Sequence, residues 1–514
     1  MAANPPEPQV DEADWQNKQS AGSAFGQILV AALVLGGGVF LYYRHAQTKK
    51  NVYELDKAAR DILVRDNPKD LAQARDKFAE SLALDSSDSF AISSTALAEV
   101  LLATDYGVQS EAANAERFVQ QAEGTNAPID EHFTAYALWL INQHKLEDAD
   151  SYIKGVQSKG GLPSGLANAL ARVRHQQGKL DEARAYLKKA QDIAWRSPRF
   201  ACDLATSYFD DGDAINAQEF YAKALEANSQ HLRSIVGLAR ARIARGQDLK
   251  KASDDLDAVQ ALGPSDTAPR ITAMALTARS ELRRFEQKYD EAAKLADQAI
   301  AADSTYAWAY DAKGQAEALA GKTTAAASFE KAMGLDEHVG LFYFDAAKSL
   351  ALLKQPAKAE EYMGKYAKTM KVDDRYHLIY GDLLKGMGNL DKAAREYTAA
   401  IAANGFNAKA HYQLGMVLQE KGKAPEAQAE FEKALAAQHN FPDAQVQLGN
   451  LKFAAKKYED ALEDFANALV QMKTANIDRA QIDGLLDDVT NRLNKANQKP
   501  LAKAWVEQAK QLVR

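Results

Sequence analysis

The chain has 514 residues, 46% hydrophobic and 26% charged, with a formal net charge of −7; the balance is ordinary for folded protein, but the length exceeds what one compact core holds. The acidic balance lacks the basic face that a nucleic-acid partner requires. A single cysteine, Cys202, excludes an internal disulfide framework and any cysteine-based zinc site, and so few thiols in so long a chain fit an exported bacterial protein.

Residues 1–23 are polar, with Pro5, Pro6 and Pro8 beside Asp11, Glu12 and Asp14, and read as a disordered acidic tail. Ala24–Tyr43 carries no charge and one polar side chain, Gln27. Its length suits a helix crossing a hydrocarbon core, and Tyr42, Tyr43 and Arg44 suit the interface. A cleaved signal peptide fits less well, because the front is acidic and no small-residue cleavage site follows Leu41.

From Leu55 onward the chain can be written in rows of about 34 residues. Residues 55–88 hold Ala74 and Phe78. Residues 89–129 are degenerate, with extra length around Tyr106–Glu111. The rows 130–163, 164–197 and 198–231 follow, the last with Ala205, Gly212, Ala217, Tyr221 and Ala224. Residues 232–272 run long, and their Gly263–Pro269 stretch reads as a longer loop between rows or as a hinge. Rows 273–306, 307–339 and 340–373 keep Tyr289, Phe329 and Ala359 among the recurring positions.

Residues 374–475 are the most regular. Rows beginning at Asp374, Ala408 and Pro442 each place glycine eighth (Gly381, Gly415, Gly449) and alanine twentieth (Ala393, Ala427, Ala461). An aromatic stands twenty-fourth (Tyr397, Phe431, Phe465) and alanine twenty-seventh (Ala400, Ala434, Ala468). Leu414, Gly415 and Leu418 share one helical face, Gly422 ends that helix, and Ala427, Phe431 and Ala434 share the face of a second. Each row is therefore a helix pair. Residues 476–514 leave the pattern, and Ile482, Leu486, Val489 and Leu493, then Trp505 and Ala509, describe two amphipathic capping helices.

This pattern resembles the tetratricopeptide repeat (TPR) family. The resemblance implies an all-α fold: a right-handed α-solenoid of about twelve helix pairs, each touching only its neighbours, behind one N-terminal transmembrane helix. The expected domains are the tail 1–23, the membrane helix 24–43, an N-terminal array 55–272, a C-terminal array 273–475 and the caps 476–514. In this family first-helix residues line an inner groove. Carried onto this chain, the groove positions are Arg172 and Arg199 in the N-terminal array, and Phe344, Leu378, Tyr412, Met416, Val446, Asn450 and Phe453 in the C-terminal one. The apolar C-terminal set is expected to grip a helix or an extended peptide.

Signals for catalysis are poor. Gly321-Lys322-Thr323 resembles the end of a phosphate loop, but Ala316 stands where the loop needs glycine, and no strand precedes it. Asp130, Glu131 and His132 open a helix, where acids favour the dipole. Cys202 reads as a buried thiol. The expectation is no enzyme, no cofactor, no metal, no small-molecule substrate and no nucleic acid. Partners would be proteins or peptides, with the membrane held through Ala24–Tyr43.

The layout of acidic tail, single span and repeats resembles single-pass periplasmic TPR proteins of the bacterial secretion translocon. It implies a scaffold or assembly factor of a cell-envelope machine in the bacterial inner membrane; the alternative is a chaperone-like holder of translocating or unfolded chains. A mitochondrial import receptor fits less well, because Val446 with Asn450 departs from the lysine–asparagine clamp that binds acidic chaperone tails. Arg44, Lys49, Lys50, Lys57 and Arg60 follow the span and only Lys18 precedes it. That charge bias alone would keep the repeats cytoplasmic, whereas long domains cross regardless of it; the side stays open, with the layout favouring the periplasm.

Overall fold

The computed structural model describes residues 12–513 except Asn126 and Asn476, and every regular element among them is helical. The first is α1 (Glu12–Leu63). Next come α2 (Pro68–Leu84), α3 (Ser89–Thr104), α4 (Ala112–Thr125), α5 (Asp130–Asn142), α6 (Leu146–Gly160), α7 (Ser164–Gln176) and α8 (Leu180–Ile193). They are followed by α9 (Pro198–Asp210), α10 (Ala214–Ala227), α11 (Leu232–Arg245), α12 (Leu249–Gln260), α13 (Pro264–Phe285) and α14 (Tyr289–Ala302). The middle of the chain holds α15 (Ala307–Leu319), α16 (Ala325–Leu335), α17 (Gly340–Leu352), α18 (Pro356–Thr369), α19 (Asp374–Gly386) and α20 (Leu390–Ala403). The last are α21 (Ala408–Glu420), α22 (Ala424–Ala437), α23 (Pro442–Ala454), α24 (Tyr458–Thr474), α25 (Arg479–Lys495) and α26 (Lys499–Val513).

The helices pair in order, α1 with α2 through α7 with α8 and α15 with α16 through α23 with α24, and α25 and α26 pack on α24. Residues 12–23, read from sequence as disordered, lie inside α1, and residues 1–11 fall outside the described residues. A helix nucleated in the apolar stretch extends into its flanks at little cost, since only nucleation is unfavourable. From Gln27 onward α1 is long and apolar enough to cross a membrane. Its Ile28, Leu33, Leu35 and Phe40 are all exposed. The same helix runs without a break into the first pair, where its Ala59 and Leu63 are buried.

The chain divides into two compact units near Thr272 and Ala273. The second unit also takes in Tyr208–Ala214 and Ile243–Leu249. The Gly263–Pro269 stretch does not form an open loop: Pro264 starts α13, and Ala268 kinks it at φ 58° and ψ 162°. Pro269 follows, and a residue before proline is pushed off the helical region.

The glycine and the aromatic of each row meet across the pair. A β-carbon on Gly381, Gly415 or Gly449 would stand 2.6, 2.6 or 2.7 Å from the ring of Tyr397, Phe431 or Phe465. The three rings are fully buried. Only hydrogen on the first helix lets the second lie this close, and the ring then fills the space beyond. The turn between the two helices needs one left-handed residue. Gly422 supplies it at φ 73°, and one row later Lys456 does so at φ 62°; glycine is therefore favoured there but not required.

Gly415→Ala is expected to lower stability by about 1–3 kcal/mol through overpacking against Phe431. Gly364→Ala, where nothing lies within 4 Å of the added carbon, should be neutral or slightly stabilising. Denaturant unfolding of the two variants checks this; equal effects would contradict the packing argument.

Candidate functional site

The sequence names two sets of inward first-helix residues, and the structure treats them differently. In the C-terminal rows, Phe344 is buried with its ring 4.6 Å from that of Tyr366. Leu378 is buried in the cluster around Tyr397. Neither lines an open groove; both are core, because the face carried over from the repeat pattern is turned into the neighbouring helix here. Val446 and Phe453 pack against the cluster containing Leu486 and Trp505. Arg492 of α25 lies 4.3 Å from the ring of Phe453 and donates to Asn450 Oδ1 at 2.7 Å. The capping helix thus covers the last first helix. Tyr412 and Met416 remain half-buried, the Tyr412 ring 5.1 Å from that of Phe441.

In the first unit the inward residues make a buried ionic cluster. Arg172 grips Asp105 with both ends of its fork, at 2.7 and 2.8 Å. Arg199 donates to Asp105 and, at 3.2 Å, to Asp66. Arg233 pairs with Asp203, which also accepts from Asn168 Nδ2 at 2.8 Å. His231, fully buried, sits 3.3 Å from Asp66 and 2.7 Å from Ser234 Oγ. Burial alone would push Asp105 up, but the Arg172, Arg199 and Arg233 guanidiniums hold it well below the usual carboxylate range. Burial disfavours the charged form of His231, yet Asp66 and Cys202 together outweigh it and lift the imidazole to about 9.

Arg172 and Arg199 are therefore not groove residues awaiting a partner; their forks are taken by carboxylates of the same unit. The cluster also corrects the expectation that each repeat touches only its neighbours. Asp66 follows α1 and His231 precedes α11, so the first helix pair meets the sixth. Asn228 Nδ2 donates to the Arg65 carbonyl and Leu232 N–H to Asn67 Oδ1, at 2.8 and 2.9 Å. The long row at 89–129 takes part as well: the Tyr106 hydroxyl donates to the Asp66 carbonyl, and the Tyr106 carbonyl accepts from Arg270 N–H at 3.1 Å.

The second unit holds an open cavity of about 490 Å³. Five successive first helices reach it: the end of α9 (Phe209), the end of α11 (Ile243), α13 (Glu281, Arg284, Phe285), α15 (Trp308, Gln315, Leu319) and α17 (Leu341, Asp345, Lys348, Leu352). Phe285 and Leu352 stand exposed at the rim, at 54% and 58%. Trp308 is buried between Phe209 and Phe342, with centroids at 5.3 and 4.9 Å, and its indole N–H bonds Asp210 at 3.1 Å. Gln315 Nε2 donates to Asp311 Oδ2 at 2.6 Å and to Asp345 Oδ2 at 3.0 Å. Burial, and next the Asp345 carboxylate, push Asp311 well above the usual range. Burial lifts Asp345 to about 6 against the pull of Arg284 and Lys348.

The remaining sequence motifs are structural. Lys322 of the Gly321-Lys322-Thr323 turn pairs with Asp290 at 2.8 Å. His132 is buried 3.1 Å from Glu123, and burial pushes its pKa down. The Cys202 thiol is buried. Among the described residues no group of three His, Cys, Asp or Glu side chains could hold a metal ion.

Tetratricopeptide repeat family models match residues 140–198, 381–427 and 412–477, and a second such model matches 198–231. The chain carries tetratricopeptide repeats. It is 23% identical over 321 residues to a TPR repeat-containing protein of Methanocaldococcus jannaschii, covering 61% of this chain and 50% of that protein. The chain thus spans about half the length of this curated relative. Two solved structures resemble it more loosely. The human IFIT1 dimer with PPP-AAAA aligns at 14% identity and a TM-score of 0.42, over 73% of this chain and 90% of that one. The APC/C hetero-tetramer Cut9–Hcn1 aligns at 12% identity and a TM-score of 0.35, over 85% and 93%. TPR repeats bind proteins or peptides, so a cavity walled by their first helices is the feature to weigh.

Arg199→Ala should act on the fold of the first unit. It leaves Asp105 and Asp66 short of a buried partner, and a loss of about 3–5 kcal/mol is expected. Thermal unfolding followed by circular dichroism checks this; a variant as stable as wild type would return Arg199 to the candidate binding residues.

Proposed function

We propose that this protein is a membrane-anchored scaffold that holds a partner polypeptide in the cavity of its second unit. The observation that carries the reading is the cavity itself, walled by five successive first helices, with an exposed apolar rim at Phe285, Leu319 and Leu352 above a charged floor. Apolar side chains kept in water around a polar floor have the anatomy of a recognition pocket: the rim supplies contact area, and the floor fixes orientation. A solenoid surface of this kind binds by shape and brings no reaction of its own.

The anchor supports the same reading. Because α1 is one helix from its apolar stretch to Leu63, the first unit would be held directly at the lipid. The single cysteine in 514 residues fits a bacterial inner-membrane protein with its repeats on the exported side. An assembly factor of a cell-envelope complex is the role these features fit together.

A photo-crosslinking residue at Leu352 in the full chain, in native membranes, should capture a few partners in near-stoichiometric yield. The same residue at Lys331, exposed on α16, should capture none of them. Adding Phe285→Asp should abolish capture at Leu352 without changing helicity. Many substoichiometric products would favour a holder of unfolded chains, and equal capture at both positions would overturn the proposed site.

A further inference from the structure

The first cations after the apolar stretch of α1 are not used by the fold. The stretch ends at Tyr42 and Tyr43, both exposed, and Arg44, Lys49 and Lys50 follow within seven residues. No acidic residue stands between Tyr43 and Glu54. The three basic side chains are exposed, and among the described residues they make no hydrogen bond or ion pair. Their polar neighbours are occupied: Gln47 Nε2 donates to Asn51 Oδ1 at 2.9 Å, and Thr48 Oγ1 to the Arg44 carbonyl at 3.1 Å. Asp85, just after α2, is held below the usual carboxylate range by hydrogen bonds from Ser87 and next by the charges of Lys49 and His45, but it bonds neither. Deeper in the first unit the cations are taken. Arg60 pairs with Glu131 at 3.3 Å and lies 5.7 Å from the Phe90 ring.

We propose that Arg44, Lys49 and Lys50 form a collar that binds anionic phospholipid headgroups around the anchor. The inference rests on α1 spanning a bilayer and is independent of the cavity. The depth is right. A helix rises about 1.5 Å per residue, so the backbone of Arg44 stands about 1.5 Å, and that of Lys50 about 10 Å, beyond Tyr43. The headgroup layer on each side of a bilayer is roughly 5–8 Å thick. Long basic side chains reach back into it while their stems lie along apolar surface.

The directions select the ligand. At 3.6 residues per turn, the three side chains leave the helix axis about 100–140° apart. A soluble phosphate or an acidic peptide is gripped by cations that converge on it. Cations spread around a helix instead face a ring of lipids, each meeting its own headgroup. Close to a negatively charged membrane surface, one lysine or arginine favours an anionic lipid by about fivefold at low salt. Averaged over the whole ring of lipids, most of which touch no cation, the preference falls to about two- to threefold. Salt screens it, because the side chains are exposed.

The test reconstitutes the full chain in phosphatidylcholine vesicles. Electron spin resonance then compares how much spin-labelled phosphatidylglycerol and how much spin-labelled phosphatidylcholine the protein immobilises. Wild type should prefer phosphatidylglycerol by about two- to threefold at low salt, and the preference should fade at high salt. The triple variant R44Q/K49Q/K50Q should immobilise phosphatidylcholine as wild type does, which shows that it is inserted, and should lose the preference. Lys57→Gln, about 21 Å beyond Tyr43 and out of headgroup reach, should keep it, and so should Arg44→Lys. Inorganic phosphate, exchanged for chloride at constant ionic strength, should change nothing; loss of the preference there would assign the cations to a soluble phosphate and overturn the proposal. Equal immobilisation of both lipids by wild type, or a preference that survives in the triple variant, would also overturn it and leave α1 as the anchor. No immobilised lipid of either kind would overturn the membrane span as well.

Discussion

The contact between a glycine on one helix and an aromatic ring on the next sets the spacing of the better-kept repeats. Gly415 admits Phe431 because it has no side chain to displace, and the ring closes the gap that two curved helices would otherwise leave. When one pair after another is built this way, residues 34 apart come to lie on the same face of successive first helices. A charge placed at such a position gains a neighbour one row later. Arg199 and Arg233 are 34 apart, and so are Asp311 and Asp345.

The two units use that geometry to opposite ends. In the first, the arginines meet Asp66, Asp105 and Asp203 in a largely buried, ion-paired cluster. Buried ion pairs of this kind contribute little net stability, because desolvation offsets the attraction, but breaking one is costly. Their effect is to fix which parts of the chain meet: Asp66 and His231, 165 residues apart, are held together. In the second unit the inward charges Glu281, Arg284, Asp345 and Lys348 open on a cavity with an apolar rim. The closed cluster is a structural joint and the open one has room for a ligand.

Much of the fold could be read from spacing alone, since the 34-residue period, the eighth glycine and the twenty-fourth aromatic are local consequences of one packing contact. The site was less legible. Phe344 and Leu378 read as groove residues because apolar first-helix positions look alike whether they face a neighbour or an open surface; burial separates them, and burial depends on the next helix. Asn450 and Phe453 were hidden by α25, whose Arg492 covers them from outside the period. Arg172 and Arg199 looked like ligand-binding cations because their partners lie up to 133 residues away. The cavity was not legible either, because its lining comes from five helices that only the fold brings together.

The central claim is that a partner binds the second unit at its cavity and not along the regular C-terminal rows. Amide hydrogen exchange of the full chain, with and without a bound partner polypeptide, tests it most directly. The account predicts added protection in the ends of α13, α15 and α17, with α21 to α24 unchanged. Protection confined to α21–α24, with the cavity helices exchanging as before, would contradict it.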